Sequence, residues 1–258
     1  MELTHFFIIF IWGCLWGSFT NVLIIRIPLG KNWVTDRSAC MNCHKKIPWW
    51  QNIPVFSYLT LKGKCSFCHS KIPFQYLAVE LLCGIKALIL AKMYLTDFEP
   101  KTIYTFVHHD LLLCLLIAHV FIDFKHKILP DVINGIILVL ILINVAIMGN
   151  WQNAAIGFAV GFGGTLLITY LFYFLRGKVG LGGGDIKLYG LVGLALGFEG
   201  VIQNLMVSSM LGLVAALILM SLKKMQKNDH FAFGPWIIIV FIIQLHFPHF
   251  FSNLFQFR

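Results

Sequence analysis

The sequence predicts an all-α polytopic membrane protein interrupted by one small loop domain, and three observations carry that expectation. Of its 258 residues, 59% are hydrophobic and only 12% charged, with a mean hydropathy of +0.81. A soluble globular domain does not tolerate that composition. Apolar stretches long enough to cross a bilayer recur along most of the chain. Between residues 28 and 76 the pattern stops, and basic residues and four cysteines take over.

The first apolar stretch covers residues 6–27, about the length a bilayer crossing requires. It carries Glu2 instead of a basic front, so it reads as a retained transmembrane helix and not as a cleaved signal peptide. Further stretches cover 77–95, 103–122, 132–148, 154–175, 186–198, 201–222 and 235–250, giving eight spans. The sixth is short, so it either begins inside the glycine segment before it or enters a cavity. If crossings alternate, sixteen of the twenty Lys and Arg fall on one face. Lys227 is among them, whereas Lys101 and Arg258 fall opposite and Lys86 and Lys92 lie within the second span. The basic face is then cytosolic and both termini point outward. The net charge of +9 follows from basic flanks selected by insertion and anionic headgroups, with no need for nucleic acid. The expected organisation is a first transmembrane helix (1–27), a cytosolic loop domain (28–76) and a membrane-embedded core (77–258).

The loop holds seven basic residues against the single acid Asp36. It contains CMNCH at 40–44 and CSFCH at 65–69, so Cys40, Cys43, Cys65 and Cys68 form two C-x-x-C pairs separated by 21 residues. That spacing matches a zinc ribbon, in which each pair makes a tight turn and four thiolates complete a tetrahedron around one structural Zn²⁺. The same letters spell the c-type haem attachment signature twice, and disulfides or unliganded thiols are further alternatives. Compartment separates them: haem attachment and disulfides belong to the oxidising outer face, whereas the charge pattern puts this loop in the reducing cytosol. His44 and His69 read as solvated loop residues. The loop is too short to bury much core alone, so the metal is expected to supply its fold, with the basic surface against headgroups or an acidic partner. Cys14, Cys83 and Cys114 lie in spans and read as small buried hydrophobes.

Ionisable residues in or beside spans are costly and therefore informative. Asp123 in IDFKHKILPD ends the third span, Asp131 follows at the start of the fourth, and Asp185 in GLGGGDIKL opens the sixth. The 62 residues from Asp123 to Asp185 allow the chain to cross out and back, so both carboxylates reach one face. Two aspartates brought to hydrogen-bond distance share a proton, one acting as base on a water and the other as acid toward a carbonyl. The plainer reading is that Asp131, after Pro130, and Asp185 occupy helix-cap regions. Glu80 and Lys187 fit snorkelling or local pairing as well as function. His108, His109 and Asp110 could form a metal or proton site or pair internally. Gly13 and Gly17 form a small-x-x-x-small helix contact. A proton-coupled transporter would also place carboxylates and histidines in the membrane, but it gives the cysteine loop no role.

These motifs together resemble the bacterial type IV prepilin peptidases, leader peptidases and N-methyltransferases of the GxGD aspartic protease group. GSFTNVLIIRIP (17–28), NIPVFSYLTLKGKC (52–65), YLAVELLCG (76–84) and the two aspartate motifs carry the resemblance, which covers most of the chain. It implies that Asp123 and Asp185 are the catalytic pair, with Asp131 in the same motif but outside the dyad, and that Gly182 and Gly184 hold the glycines of GxGD. It also implies cleavage of the basic leader of prepilin or pseudopilin precursors after a glycine, at the cytosolic face. Methylation of the new N-terminus by S-adenosylmethionine would follow. Cys40, Cys43, Cys65 and Cys68 would bind zinc in the domain associated with methylation, where Gly63 and Lys64 lie in a stretch linked to that activity. A non-methylating peptidase is the rival reading within the family. Gln75 stands where the family often has an arginine. The sequence places no S-adenosylmethionine site.

Overall fold

Long runs of Leu, Ile, Val and Phe without interior proline favour helix, and each apolar stretch is helical. The computed structural model describes residues 3–178, 180–226 and 231–254; Glu2, Lys227 and Arg258, used above for topology, lie outside them. The chain divides into two compact units, Met1–Ala118 and His119–Arg258.

In the first unit, α1 (Leu3–Arg26) leads through a 3₁₀ turn into the cysteine loop, which holds a short helix α2 (Phe56–Thr60). Then come α3 (Gln75–Tyr94) and α4 (Pro100–His126), whose last residues belong to the second unit. The second unit continues with α5 (Asp131–Met148), α6 (Trp151–Phe158) and α7 (Thr165–Arg176), the last two joined by a π-helical stretch at Ala159–Gly164. It closes with α8 (Gly183–Ser221), α9 (Gly234–His246) and α10 (Pro248–Leu254).

Among the described residues, five runs are by length and composition able to cross a membrane: Leu3–Leu29, Pro100–His126, Asp131–Met148, Trp151–Arg176 and Gly183–Ser221. The difference from eight has identifiable causes. Helix α3 carries Glu80, Lys86 and Lys92, and α9 is short. The sixth and seventh stretches fall together in the run Gly183–Ser221, but it breaks at Gly197, with φ 76° and ψ −171°, and folds back there: Tyr189 in its first half bonds Ser208 in its second at 2.8 Å, so the two stretches remain separate helices. Its first half begins at Gly183, inside the glycine segment. The outer surface is apolar: Leu167 is 67% exposed and Phe174 79%, an arrangement suited to lipid and not to water.

Gly13 and Gly17 let α1 lie directly on α3. A Cβ at Gly13 would stand 2.5 Å from the Cys83 carbonyl oxygen and 2.9 Å from the Gly84 Cα, and one at Gly17 2.7 Å from the Glu80 Cα. The small-residue contact read from the sequence is therefore a packing surface. Gly13→Val is expected to force the helices apart at a cost of about 1–3 kcal/mol, read as a lowered unfolding temperature in detergent. Gly135→Ala, where a Cβ meets nothing within 4 Å, should leave that temperature unchanged or raise it.

The first unit also buries a charge pair. Lys86 Nζ lies 2.8 Å from Asp110 Oδ1 and 2.9 Å from Cys114 Sγ, and Trp12 Nε1 donates to Asp110 Oδ2 at 3.2 Å. Asp110 of the HHD triplet thus pairs internally. Losing one partner of such a pair costs about 3–5 kcal/mol, because the other charge remains buried.

Candidate functional site

Two chemical centres emerge, one in each unit. In the first, Cys40, Cys43, Cys65 and Cys68 offer four sulfur atoms lying within 4.8 Å of one another. Each pair sits in the same tight turn. The Cys40 amide donates to the Lys45 carbonyl and the His44 amide to the Cys40 carbonyl, both at 3.0 Å. The second turn repeats this with Cys65 to Ser70 at 2.9 Å and His69 to Cys65 at 3.0 Å. His44 and His69 take the left-handed turn position, with φ 56° and 55°, and both are exposed. The matching turns reveal an internal repeat overlooked in the sequence, C-x-x-C-H-x-K-I-P at 40–48 and again at 65–73.

The donor set fits zinc. Cys40 Sγ and Cys68 Sγ stand 3.8 Å apart, and Zn–S bonds of about 2.3 Å give a tetrahedral edge of about 3.8 Å. Backbone amides of Cys43 and Asn42 hold the Cys40 thiol below its usual range and the Ser70 hydroxyl holds that of Cys68 at about 5, whereas, against the Lys45 backbone, burial and the neighbouring sulfurs push Cys43 up to about 11, so the four share protons unequally. Thiolates are the metal-binding form. Four sulfurs around one point suit a single ion, not two separate haems.

Gly63 and Lys64 lie where the second turn meets α2. Lys62 and Gly63 take φ 51° and 66° in succession, and the Gly63 carbonyl accepts from the Ile72 amide at 2.8 Å. A Cβ at Gly63 would stand 3.0 Å from the Tyr58 hydroxyl, so glycine is required for both conformation and space. Lys64 is exposed and pairs its backbone with Lys71. Glu80 is buried and accepts the Val55 amide at 2.7 Å. Val55 itself has φ 62°, a strained conformation for a β-branched residue. Tyr76 and Asn21 close this wall, the Asn21 amide nitrogen donating to the Tyr76 carbonyl at 3.0 Å.

The second centre gathers around Asp123 and Asp185. Asp123, in the last turn of α4, is 4% exposed, and its Oδ2 is buried without a hydrogen-bond partner. The backbone of Gly234, first residue of α9, faces this carboxylate, and a Cβ there would stand 2.8 Å from Asp123 Oδ2. Asp185 is half-buried in the first turn of α8, and a Cβ at Gly182 would stand 3.0 Å from its Oδ2. Leu129 joins the two sides: Cβ positions at Gly184 and Gly234 would lie 3.0 Å and 3.1 Å from its atoms. The positive ends of α8 and α9 both face the pair.

Asp131 and Lys187 form an exposed ion pair at 2.6 Å, tying the two aspartate motifs together. Asp131 thus stands apart as a bridging residue, and no side-chain cap occupies the start of α5. Three supports escaped the sequence reading. Gly234 was legible only as a Gly-Pro helix start. His119, one turn before Asp123, is fully buried with Nε2 3.0 Å from Asn134 Oδ1. Tyr189, one turn beyond Asp185, bonds Ser208 at 2.8 Å, tying the two halves of α8 together across the Gly197 break, and Asn204 bonds Gln244 at 2.9 Å, bracing α8 against α9.

Residues 11–94 match the bacterial peptidase A24 N-terminal domain and residues 111–217 the type IV leader peptidase family. A Xanthomonas campestris protein is 32% identical, covering 88% of this chain and 86% of its own. One from Neisseria gonorrhoeae is 33% identical, covering 88% and 87%, and one from Pseudomonas aeruginosa 30%, covering 88% and 85%. Each of the three is named a prepilin leader peptidase/N-methyltransferase. No solved structure matches the chain. The chain belongs to the type IV leader peptidase family.

Proposed function

We propose that this protein is an aspartic endopeptidase of the inner membrane that removes the basic leader of prepilin or pseudopilin precursors. It cuts after a glycine at the cytosolic membrane face and then N-methylates the new terminal residue. The observation that supports the reading is that Leu129 lies against both Gly184, the neighbour of Asp185, and Gly234, which faces Asp123, although the two aspartates stand 62 residues apart in sequence. A precursor is itself an apolar helix behind a short basic leader, so its scissile bond lies at headgroup depth, where α4 ends and α8 begins.

In this reading one carboxylate is ionised and the other protonated. The ionised one takes a proton from water as the water oxygen bonds to the scissile carbonyl carbon. The protonated one donates to the carbonyl oxygen, and on collapse the C–N bond breaks with a proton passing to the leaving amine. The pair titrates as a unit. Gly182, Gly183 and Gly184 leave the backbone before Asp185 without side chains, so that an extended substrate strand can approach it. Lys187 and Asp131 hold the two motifs in register. For methylation, the neutral amine attacks the methyl carbon and loses its proton, while the electron pair of the broken C–S bond goes to sulfur. S-adenosylmethionine supplies that activated methyl group. Zinc at Cys40, Cys43, Cys65 and Cys68 has a structural role, because four thiolates leave no open coordination position.

Purified full-length protein in lipid nanodiscs, given a prepilin-type substrate and methyl-labelled S-adenosylmethionine, should yield a shortened product carrying label on its N-terminus. Absence of cleavage overturns the peptidase reading, and cleavage without label overturns the methyl-transfer half. The charge asymmetry further predicts that a membrane-impermeant thiol reagent modifies the metal-stripped Cys40 only in opened cells. Modification in intact cells would invert the topology.

A further inference from the structure

The first unit contains a cavity of about 960 Å³ that none of the catalytic steps above uses. We propose that it is the S-adenosylmethionine site, an inference that rests on the methyl-transfer reading and gives it a location. The volume falls in the range of small-molecule sites, about 300–1,000 Å³. The chemistry of its wall is divided. Asn21 and Glu80 are the buried polar residues on the side formed by α1 and α3, at 1% and 7% exposed. Asn21 Oδ1 is buried with no hydrogen-bond partner, while its amide nitrogen is already committed to the Tyr76 carbonyl. A buried acceptor left without a partner is unfavourable, and a ligand donor would satisfy it.

Arg37, Lys46 and Lys71 also line the cavity and are exposed, with Arg26 and Asp36 bordering it as well. The cavity therefore offers buried acceptors together with exposed cations. S-adenosylmethionine has the complementary distribution: an adenine amine, an ammonium and a sulfonium to meet the acceptors, and one carboxylate to meet the cations. The Asn21 oxygen suits the adenine amine and the Glu80 carboxylate a cationic centre, with Tyr76 supplying an aromatic face. Glu80 is held in place by the strained Val55 amide. Such strain is stored where a local geometry is over-determined by its surroundings. Cys40 and Cys65 also border the cavity, so the metal module forms part of its wall.

The test uses the purified full-length protein and labelled S-adenosylmethionine in equilibrium dialysis, followed by ultraviolet cross-linking and peptide mapping. Saturable binding is expected, with label on peptides between residues 18 and 80. Asn21→Leu and Glu80→Gln should each weaken binding at least tenfold while metal analysis finds their zinc content unchanged, which separates a lost contact from a lost fold. If a variant loses zinc as well, the mapped position of the label on the unaltered protein decides. Label on residues 119–258, or unweakened binding in both zinc-replete variants, overturns the location while leaving the methyl-transfer reading intact. Absence of saturable binding in a protein that still cleaves its substrate overturns both.

Discussion

Replacing Asp123 or Asp185 with asparagine is expected to abolish leader cleavage in a protein that still folds. Asparagine keeps the shape and one carbonyl oxygen, so the contacts of Asp123 with Gly234 and of Asp185 with Gly182 can persist. Neither variant can hold or release the shared proton. General acid–base catalysis by one group contributes about 10²–10⁴-fold, and loss of either member disables both roles, so cleavage should fall by at least about 10³-fold. Unfolding temperature in detergent should change little. Near-normal cleavage by either variant would remove that residue from the pair. Asp131→Asn provides the contrast. Its partner Lys187 is 49% exposed and Asp131 itself 72%, and exposed ion pairs contribute about 0–1 kcal/mol, so cleavage should fall by no more than about fivefold.

The two aspartate motifs were legible because carboxylates beside apolar spans stand out against the cost of putting them there, and the glycines before Asp185 mark a bare backbone. The pairing of Lys187 with Asp131 was not, since an ion pair 56 residues apart leaves no local periodicity. Gly234 was missed for a similar reason. Its missing Cβ matters only because Asp123, more than a hundred residues away, lies against it. His119 and Asn134 form a buried contact between α4 and α5 that no local pattern in the sequence marks. The apolar stretches gave helix positions well. They separated the sixth and seventh stretches but did not reveal that these meet at Gly197 with almost no loop between them, because glycine in an apolar segment is compatible with both packing and breakage. The cysteine spacing pointed to a metal, but the 25-residue repeat that gives the two turns the same hydrogen bonds needed the structure to make it conspicuous.

Replacing Cys40 and Cys43 with serine should have the second large effect, and on a different readout. The loop has few buried apolar residues of its own: Cys65 is the principal apolar side chain buried between residues 28 and 76, while Trp49, Trp50, Phe56 and Leu59 are exposed. Hydrophobic burial therefore contributes little, and structural zinc supplies about 10–16 kcal/mol in small modules of this kind. With two thiolates missing, zinc content should fall from about one per chain to near zero, and protease sensitivity should appear within residues 30–73. Because the sulfurs border the cavity assigned to S-adenosylmethionine, methyl transfer should be lost with the metal. Leader cleavage, assigned to residues of the other unit, should survive to a much greater extent. Gly63→Ala should follow the same pattern more weakly, since it strains the second turn without removing a ligand. Equal loss of both activities in the cysteine variant, with the membrane helices still folded, would mean that the module holds the peptidase centre together as well and that the two chemistries are not separable by unit.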